Sequence, residues 1–496
     1  MPWHKLEAAP EYQPAWKELQ ELIGELQEFE RSPREHGQIE QHLMARSHAL
    51  MRALMQAYLD RLAKNEDKRE RVLAAEGTVR RQARERCRRL MTVFGEVQVH
   101  RVGYSDRGTD SVFPLDAQLN LPAQQYSHGL QERLGEVVAD ASFEAAVEHI
   151  AHHTGGHVPK RQAEQIAHAV SADFDAFYAQ RAPPAPAPAK AGEPPLGVIS
   201  LDGKGIVMRQ EDLREETQRR AEESSHKLQS RLSRGEKRNR KRMATVAAVY
   251  EIEPHYRKAE QIMDPQAARP LAPKPIDKRV WASVQQPMSE VLNEAFAEAR
   301  RRDSSGQRTW LVLVDGLPEQ LRQVYAAIKR HGRKAIVMQD FVHVLQYVWN
   351  AAWCLHEEGD PKAERWVREH ATDILRGKSS AVAAGMRRSA TRRGLSQAER
   401  APLDKCAEYL LKNRQRLNYA QALRNGWPIA TGVIEGACRH LVKQRMEVTG
   451  ARWSLQGAEA ILRLRALRMN GHLYDYFTFH RRQERLRNYP DERLAA

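Results

Sequence analysis

Three acidic residues stand where their side chains could do chemistry together. Asp202 ends the apolar run GVISLD, Asp315 ends the run WLVLVD, and Glu435 lies in the first turn of a helix that begins near Gly432. Carboxylate oxygens are hard ligands suited to Mg²⁺ or Mn²⁺. Two such ions held about 3.5–4 Å apart can activate a water or a DNA 3′-hydroxyl and stabilise the leaving oxygen of a phosphodiester. The three acids therefore suggest a two-metal site for phosphoryl transfer.

The elements around these acids alternate between strand and helix. LGVISLDGKGIVMR, MATVAAVYEIE, TWLVLVDG and AIVMQD are typical of strands, and most of the segments between them have helical periodicity. This order predicts a mixed or parallel sheet covered by helices. Side chains at the ends of neighbouring strands converge at one edge of such a sheet, and Gly203 and Gly316 would leave room there for a ligand. The alternative is that three of the 64 acidic residues fall at such positions by chance.

A fourth acid competes for the second position. Asp340 also ends a predicted strand before a helix, and His343 follows it in a D-x-x-H step. The pair could hold a metal or orient the site. Aspartate is a favoured helix N-cap, so we rank capping first for Asp340 and treat His343 as an accessory candidate.

Cations follow Glu435 on its predicted helix. Arg439 and Lys443 come four and eight residues later, so on an α-helix they share its face and could bind phosphate beside a metal ligand. The alternative is an ordinary i,i+4 ion pair, worth about 0.2–0.5 kcal/mol. Further on, Arg452 and Trp453 could contact a DNA backbone or an unstacked base, although tryptophan is more often a core residue.

A basic run, RLSRGEKRNRKRM, separates the first two predicted strands of this region. It could clamp phosphates without reading sequence, and the alternative is a solvated loop. The expected DNA contacts in it are Arg238, Lys241 and Arg242. Across the chain, 79 Lys and Arg exceed 64 Asp and Glu, a net charge of +15. That excess favours a polyanionic partner such as nucleic acid.

The first 180 residues predict DNA-binding regions ahead of the sheet. Residues 1–90 have helical rhythm, and 91–180 combine a small β element with a helix, a Gly-Gly turn and a second helix. Lys160 and Arg161 would begin the recognition helix of a helix-turn-helix. Two helices of an ordinary helical domain would give the same pattern.

The remaining boundaries follow from composition. The predicted parts are a Pro/Ala-rich linker at 181–196, the sheet domain at 197–353 and 429–471, a helical insertion at 354–428 and a C-terminal tail at 472–496.

Several classes of protein are excluded or disfavoured. No stretch approaches the roughly 18 consecutive apolar residues of a membrane helix. The N-terminal residues lack the pattern of a secretory signal, so we expect a cytoplasmic protein. The four cysteines are far apart and have no C-x-x-C pair, which predicts neither a disulfide framework nor a cysteine zinc site.

Several long motifs stand in a definite order along the chain: FPLDAQLNLP, TGGHVPKRQAE, DGKGIVMR with DLREET (202–217), RLSRGEKRNRKRMATVAAVY (231–250), VDGLPEQL (314–321), DFVHVLQYVWNAAW (340–353) and TGVIEGACRHLVKQRMEVTGARWSLQGAEAILRLRALRMNG (431–471). Together they resemble the ISKra-type insertion-sequence transposases, a group of bacterial DDE transposases. Where many relatives carry a cysteine pair suggestive of a zinc ribbon, the segment HRVGYSDRGTDSVFPLD has none, which disfavours a structural zinc.

The resemblance implies a ribonuclease-H-like catalytic core and metal-dependent transfer of a 3′-hydroxyl to target DNA. Asp202, Asp315 and Glu435 would match the family's acidic trio, with Asp340 as the rival for the second position. It also implies double-stranded element ends and target DNA as partners, assembly as a homo-oligomer on DNA, and action at the bacterial nucleoid. Two alternatives stay open: a ribonuclease-H-like nuclease that cleaves without joining, and a transposase-derived DNA-binding regulator that no longer cuts.

Overall fold

The chain folds into two compact units, the first made of Met1–Gln180 and Gly471–Ala496 and the second of Arg181–Asn470. Most of the predicted linker at 181–196 lies outside the described residues. The computed structural model describes residues 9–74, 77–182, 194–224, 227–228, 230, 232–233, 236, 238–268, 270–448 and 450–490.

The first unit combines helices with two antiparallel hairpins. Its elements before the second unit are α1 (Gln13–Arg31), α2 (His36–Lys64), β1 (Val72–Leu73), β2 (Val79–Arg80), β3 (Gln82–Thr92), β4 (Gly95–Ser105), α3 (Pro114–Gln118), α4 (His128–Val138), α5 (Phe143–His153), α6 (Lys160–Val170) and α7 (Phe174–Gln180).

The prediction of a helical region over residues 1–90 is wrong in its last part. The helices end at Lys64, and β3 pairs along its whole length with β4. β3 does not show the alternating pattern of a strand in its sequence, because its first half is exposed and densely charged. β4 does alternate buried and exposed positions, as a half-buried strand does.

The predicted helix pair is present as α5 and α6, which pack together and against α4. Residues 154–159 join the two helices, a connection longer than the usual three or four residues of a helix-turn-helix. Gly155 and Gly156 lie against the tip of the β3–β4 hairpin: a Cβ would come within 2.4 Å of the Phe94 carbonyl oxygen at the first and 2.7 Å of the Thr92 carbonyl oxygen at the second. The glycine turn is therefore a packing contact with the hairpin.

The second unit is an α/β domain built on a five-stranded mixed sheet. Its elements are β5 (Leu196–Val207), α8 (Glu215–Glu222), β6 (Lys241–Ile252), α9 (Ala259–Met263), β7 (Ile276–Ser283), α10 (Met288–Arg302), β8 (Trp310–Val314), α11 (Pro318–His331), β9 (Ile336–Gln339), α12 (Phe341–Ala352), α13 (Pro361–Leu375), α14 (Ser379–Arg392), α15 (Gln397–Lys412), α16 (Tyr419–Arg424), α17 (Gly432–Ala437), a π-helical turn (Cys438–Lys443), α18 (Gln444–Met446) and α19 (Leu455–Met469).

The strand order of this sheet is β7-β6-β5-β8-β9. β7, β6 and β5 are antiparallel, and β5, β8 and β9 run parallel. The central strands are buried almost throughout, which explains their continuous apolar sequences. β7 was not predicted from the sequence, because it begins with the exposed, charged Asp277 and Lys278. The α/β class and the mixed sheet agree with the prediction.

Residues 354–428 contribute α13 to α16, with no strand among them, and α15 packs against α12 and α14. The predicted tail at 472–496 instead contains a helix, α20 (Leu473–Asn488), which belongs to the first unit. Tyr476 and Phe477 are buried there, and Asp173 pairs with His480 and Arg487. Within the described residues, no helix combines the length and the apolar character needed to cross a bilayer.

Candidate active site

Three aspartates reach the same level where the parallel pairing of β5, β8 and β9 stops. The prediction that Asp202 ends its strand is wrong, because β5 continues past it to Val207. Ser200 is paired with Leu313, and Val314 with Gln339, so the next equivalent positions are Asp202 in β5, Asp315 after β8 and Asp340 after β9. Glu435 on α17 faces the same place, because its charge interacts with those of the aspartates. We call this group of four, Asp202, Asp315, Asp340 and Glu435, the carboxylate end of the sheet.

The four carboxylates repel one another. Burial and the charges of Asp202, Asp340 and Glu435 raise the pKa of Asp315 to about 7, and a hydrogen bond with Asp202 contributes. The pKa of Glu435 is also raised, first by burial and then by Asp340 and Asp202. A carboxyl group surrounded by like charges holds its proton because a second negative charge nearby costs free energy.

No cation within the described part of the chain compensates this charge. None of the four carboxylates takes part in an ion pair with a Lys, Arg or His nitrogen within 4.0 Å. The described residues also contain no group of three or more His, Cys, Asp or Glu side chains already arranged to hold a metal ion. The four acids interact electrostatically, but within the described residues no three of them are arranged around a common point.

Asp340 is bound on both of its oxygens and is 2% exposed. One oxygen accepts a 2.8 Å hydrogen bond from the Val342 backbone NH at the start of α12, and the other accepts one from the Thr431 hydroxyl. Asp340 is therefore the N-cap of α12, the role that the sequence analysis ranked first. It also ties α12 to the residue that precedes α17.

The glycine after Asp315 is required by packing. Gly316 has φ +88°, and a Cβ there would lie 1.6 Å from Nε2 of Gln339. Gln339 is fully buried on β9. The expectation that this glycine makes room for a ligand needs correction, because the space beside it is already filled by the Gln339 amide.

The helix that carries Glu435 widens one turn later. From Cys438 the chain forms a π-helical turn, so the 3.6-residue periodicity behind the expected alignment of Arg439 and Lys443 with Glu435 does not hold. Both cations are exposed, and neither forms an ion pair with Glu435. Instead the Cys438 thiol donates to Asp202 over 3.1 Å, a contact that no local sequence pattern predicts.

An aromatic group from α12 and the helical insertion borders Asp315. Tyr347 and Tyr409 stack with ring centroids 4.1 Å apart, and the ring of His343 lies 5.5 Å from that of Tyr347. The Tyr409 hydroxyl donates to the Asp315 carbonyl oxygen over 3.4 Å. Burial, Tyr347 and Asp315 raise the pKa of Tyr409. His343 therefore belongs to this aromatic group, and the insertion reaches the carboxylate end through Tyr409.

The predicted phosphate contacts of the basic run differ in their surroundings. Arg238 is exposed, and the Lys241 ammonium lies 3.4 Å from a Glu447 carboxylate oxygen. Arg242 donates to the backbone carbonyls of Val284 and Asp212, and burial lowers its pKa. Arg242 therefore serves mainly to hold backbone. The remaining basic residues of the run, Arg231, Arg234 and Lys237, lie outside the described residues.

Trp453 cannot offer its ring to a base. Its side chain is 6% exposed, its indole NH donates to the Met446 carbonyl over 3.2 Å, and the guanidinium of Arg445 lies 4.8 Å from its ring centroid. The predicted DNA contact at Trp453 is therefore wrong, and the tryptophan is a core residue. Its neighbour Arg452 is exposed.

Lys160 and Arg161 belong to the first unit, at the start of α6. The Lys160 ammonium lies 3.6 Å from a Glu144 carboxylate oxygen on α5, and both side chains are exposed. Arg161 is exposed beside it.

The fold and the site define an α/β protein with an uncompensated carboxylate cluster at one end of a mixed sheet. No protein-family model matches this chain, and no curated protein is significantly similar to it.

Proposed function

We propose that this protein is a DDE-type DNA transposase of an insertion sequence, with a ribonuclease-H-like catalytic core in its second unit. The observation that carries the proposal is the convergence of Asp202, Asp315 and Glu435 at one end of the sheet without a compensating cation. A stable protein has little reason to bury part of such a cluster unless a cation joins it in function. The motifs that resemble ISKra-type transposases support the same reading.

Mg²⁺ or Mn²⁺ fits the chemistry of this cluster. Its donors are carboxylate oxygens, and a divalent cation would remove the repulsion that raises the pKa of Asp315. Asp202, Asp315 and Glu435 would hold the metal, in keeping with a two-metal site. When bound, the metal would supply charge stabilisation and an activated nucleophile for phosphodiester chemistry.

The protein's own groups would keep the ligands in place. Cys438 holds one oxygen of Asp202, and Asp340 links α12 to the start of the helix that carries Glu435. Asp315 is only partly buried, whereas Asp340 is 2% exposed and is held as the N-cap of α12. This difference supports Asp315 over Asp340 as the second ligand.

The partners in this proposal are double-stranded element ends and target DNA. α5 and α6, with Lys160 and Arg161, would bind the element ends, and exposed cations of the second unit would hold DNA near the carboxylates. The chain would act as a homo-oligomer on DNA in the bacterial cytoplasm.

The test is cleavage and joining of labelled DNA that carries the sequences flanking the gene, with Mg²⁺ or Mn²⁺. We expect Asp202→Asn, Asp315→Asn and Glu435→Gln to reduce strand cleavage and joining to background while DNA binding persists. Glu319→Gln is the matched control, because Glu319 is an exposed acid in the first turn of α11.

Each other outcome selects a different conclusion. Loss in Asp340→Asn with full activity in Asp315→Asn would reverse the assignment of the second ligand. Cleavage without joining would support a nuclease. Binding with neither reaction, in an assay where a known transposase is active, would support a DNA-binding regulator.

A further inference from the structure

Four arginines from three segments of the second unit line one cavity of about 730 Å³. They are Arg209 just after β5, Arg238 and Arg240 just before β6, and Arg452 before α19, and all four are exposed. Glu211 is the one acid among the described residues that line the same cavity. We call this cavity the arginine groove.

The backbone that carries these arginines is bonded together. The backbone NH of Arg209 donates to the Trp453 carbonyl over 2.8 Å, and that of Trp453 donates to Val207 over 3.1 Å. The backbone NH of Met208 donates to the Arg240 carbonyl over 3.0 Å. The buried Trp453 ring lies beneath this junction. The groove is therefore a built surface whose cations are held near one another by hydrogen-bonded strands.

The positive charge of the arginine groove is not neutralised by ion pairs among the described residues. None of the four arginines forms an ion pair in the part of the chain that the structure describes. Their neighbours Lys204 and Lys241 differ, because both approach the Glu447 carboxylate, at 3.7 and 3.4 Å. Guanidinium groups present forked donors that match phosphate oxygens, and several unpaired ones in one groove favour a polyanion over a single small anion.

The position of the groove relative to the carboxylate end sets its place on a bound DNA. Arg209 follows Asp202 by seven residues, and β5 runs to Val207. At about 3.3 Å per strand residue the two positions are about 23 Å apart, which is about seven base pairs for a B-DNA duplex whose axis follows β5. We propose that the arginine groove binds the phosphate backbone of duplex DNA about seven base pairs from the phosphodiester held at the carboxylate end. This inference rests on the proposed function.

The test measures binding without chemistry. A labelled duplex carrying the gene's flanking sequence is titrated in EDTA with wild type, Arg209→Gln, Arg240→Gln and Arg452→Gln over a range of salt. Each groove variant should bind more weakly, and the slope of log K against log salt should fall by about one per arginine removed. The control is Arg300→Gln, which removes an equal charge from an exposed residue of α10. It should bind as wild type does.

Phosphate-ethylation interference on the same duplex locates the contact. We expect interference about seven base pairs from the cleaved bond in wild type, and its loss in the groove variants. Equal weakening in Arg300→Gln, or unchanged binding in all three groove variants, would overturn the inference. So would tighter binding of an RNA duplex of the same sequence. Normal cleavage with unaltered binding in the variants would reject the groove alone, whereas groove-dependent binding without any cleavage would reject the transposase and keep the groove.

Discussion

The two ends of the sheet in the second unit treat buried carboxylates in opposite ways. At one end, around the start of β8, Glu298 is bonded to Arg279 and Arg302 at 2.8 Å, and Asp303 to Arg333 at 2.7 Å. Glu251 is paired with Arg308 at the same level of the sheet. We call this the arginine-paired end. At the carboxylate end no such cation is present among the described residues.

The electrostatic consequences are opposite in sign. Burial alone would raise the pKa of Glu298, but the charges of Arg279 and Arg302 hold that pKa at about 2. The pKa of Asp315 is raised to about 7 by burial and neighbouring acids. Arginine thus neutralises the buried acids at the arginine-paired end. Under the proposed function, the carboxylate end is left without such a cation because a metal ion binds there.

The largest expected effect is at the arginine-paired end. Glu298→Gln would remove the carboxylate charge that two buried guanidinium groups, Arg279 and Arg302, share, so we expect a loss of about 3–5 kcal/mol in the free energy of unfolding. Urea denaturation followed by circular dichroism measures it. Arg322→Gln, which breaks a fully exposed ion pair with Glu319, should change the free energy of unfolding little and is the control. Equal losses in the two variants would break the comparison.

The next effect is that of added metal. Mg²⁺ at about one hundred times its dissociation constant should stabilise the wild-type protein by about 2.7 kcal/mol, provided that it binds the folded state only. Thermal unfolding with and without Mg²⁺ at matched ionic strength measures the gain. Asp315→Asn should lose most of it and Glu298→Gln should keep it. A gain that survives in Asp315→Asn would place the metal elsewhere.

Removing one charge from the carboxylate end should stabilise the metal-free protein. Above pH 7, Asp315→Asn should unfold with about 1–2 kcal/mol more free energy than wild type, less than the full pKa shift implies because the group is partly exposed. The folded pKa lies above the unfolded one, so wild type loses stability as pH rises from about 4 through 7, and the gain should vanish below about pH 4.

The pH dependence at the arginine-paired end runs the other way. The pKa of Glu298 is depressed, so its contribution is present above about pH 4.5 and is lost as pH falls toward 2. Denaturation curves across this range, in EDTA, separate the two ends. An Asp315→Asn curve parallel to wild type between pH 4 and 7 would contradict the repulsion at the carboxylate end.

The smallest expected effect is that of removing the hydrogen bond between Thr431 and Asp340 at the carboxylate end. Thr431→Val removes the hydroxyl that donates to Asp340 and should cost about 1 kcal/mol in unfolding free energy. Thr431→Ser, which keeps the hydroxyl, is the matched control and should recover most of the loss. Equal stability of the two variants would show that the hydrogen bond contributes nothing.

The sequence predicted Asp315 and Asp340 at the ends of strands because β8 and β9 are short apolar runs that stop before an acid. It predicted the same for Asp202, but β5 continues through that residue to Val207. That pattern is local, and so is the N-cap at Asp340. The pairing of Glu298 with Arg279 was not predictable, because the two residues lie on different elements that only the folded sheet brings together. Nothing local couples Cys438 to Asp202 or Tyr409 to Asp315 either.

Two errors have a common physical cause. The alignment of Arg439 with Glu435 assumed a regular α-helix, and tertiary packing replaced it with a π-helical turn. The expected DNA contact at Trp453 depended on its flat ring beside the cation of Arg452, but its backbone is bonded to β5 and its ring is buried. Local patterns fix neither helix pitch nor depth of burial once distant segments pack together.

The first unit is made of two separate stretches of chain. It can therefore finish folding only after the second stretch has been synthesised. α20 supplies the His480 and Arg487 partners of Asp173, and it is synthesised only after the whole of the second unit. During translation, Asp173 is neutralised only after α20 has been synthesised. Tyr476, which α20 itself carries, is also buried only then. The second unit, which is continuous in the chain, can fold as it emerges. The sheet that carries the carboxylates would thus be complete before the region with the helix pair α5 and α6 is.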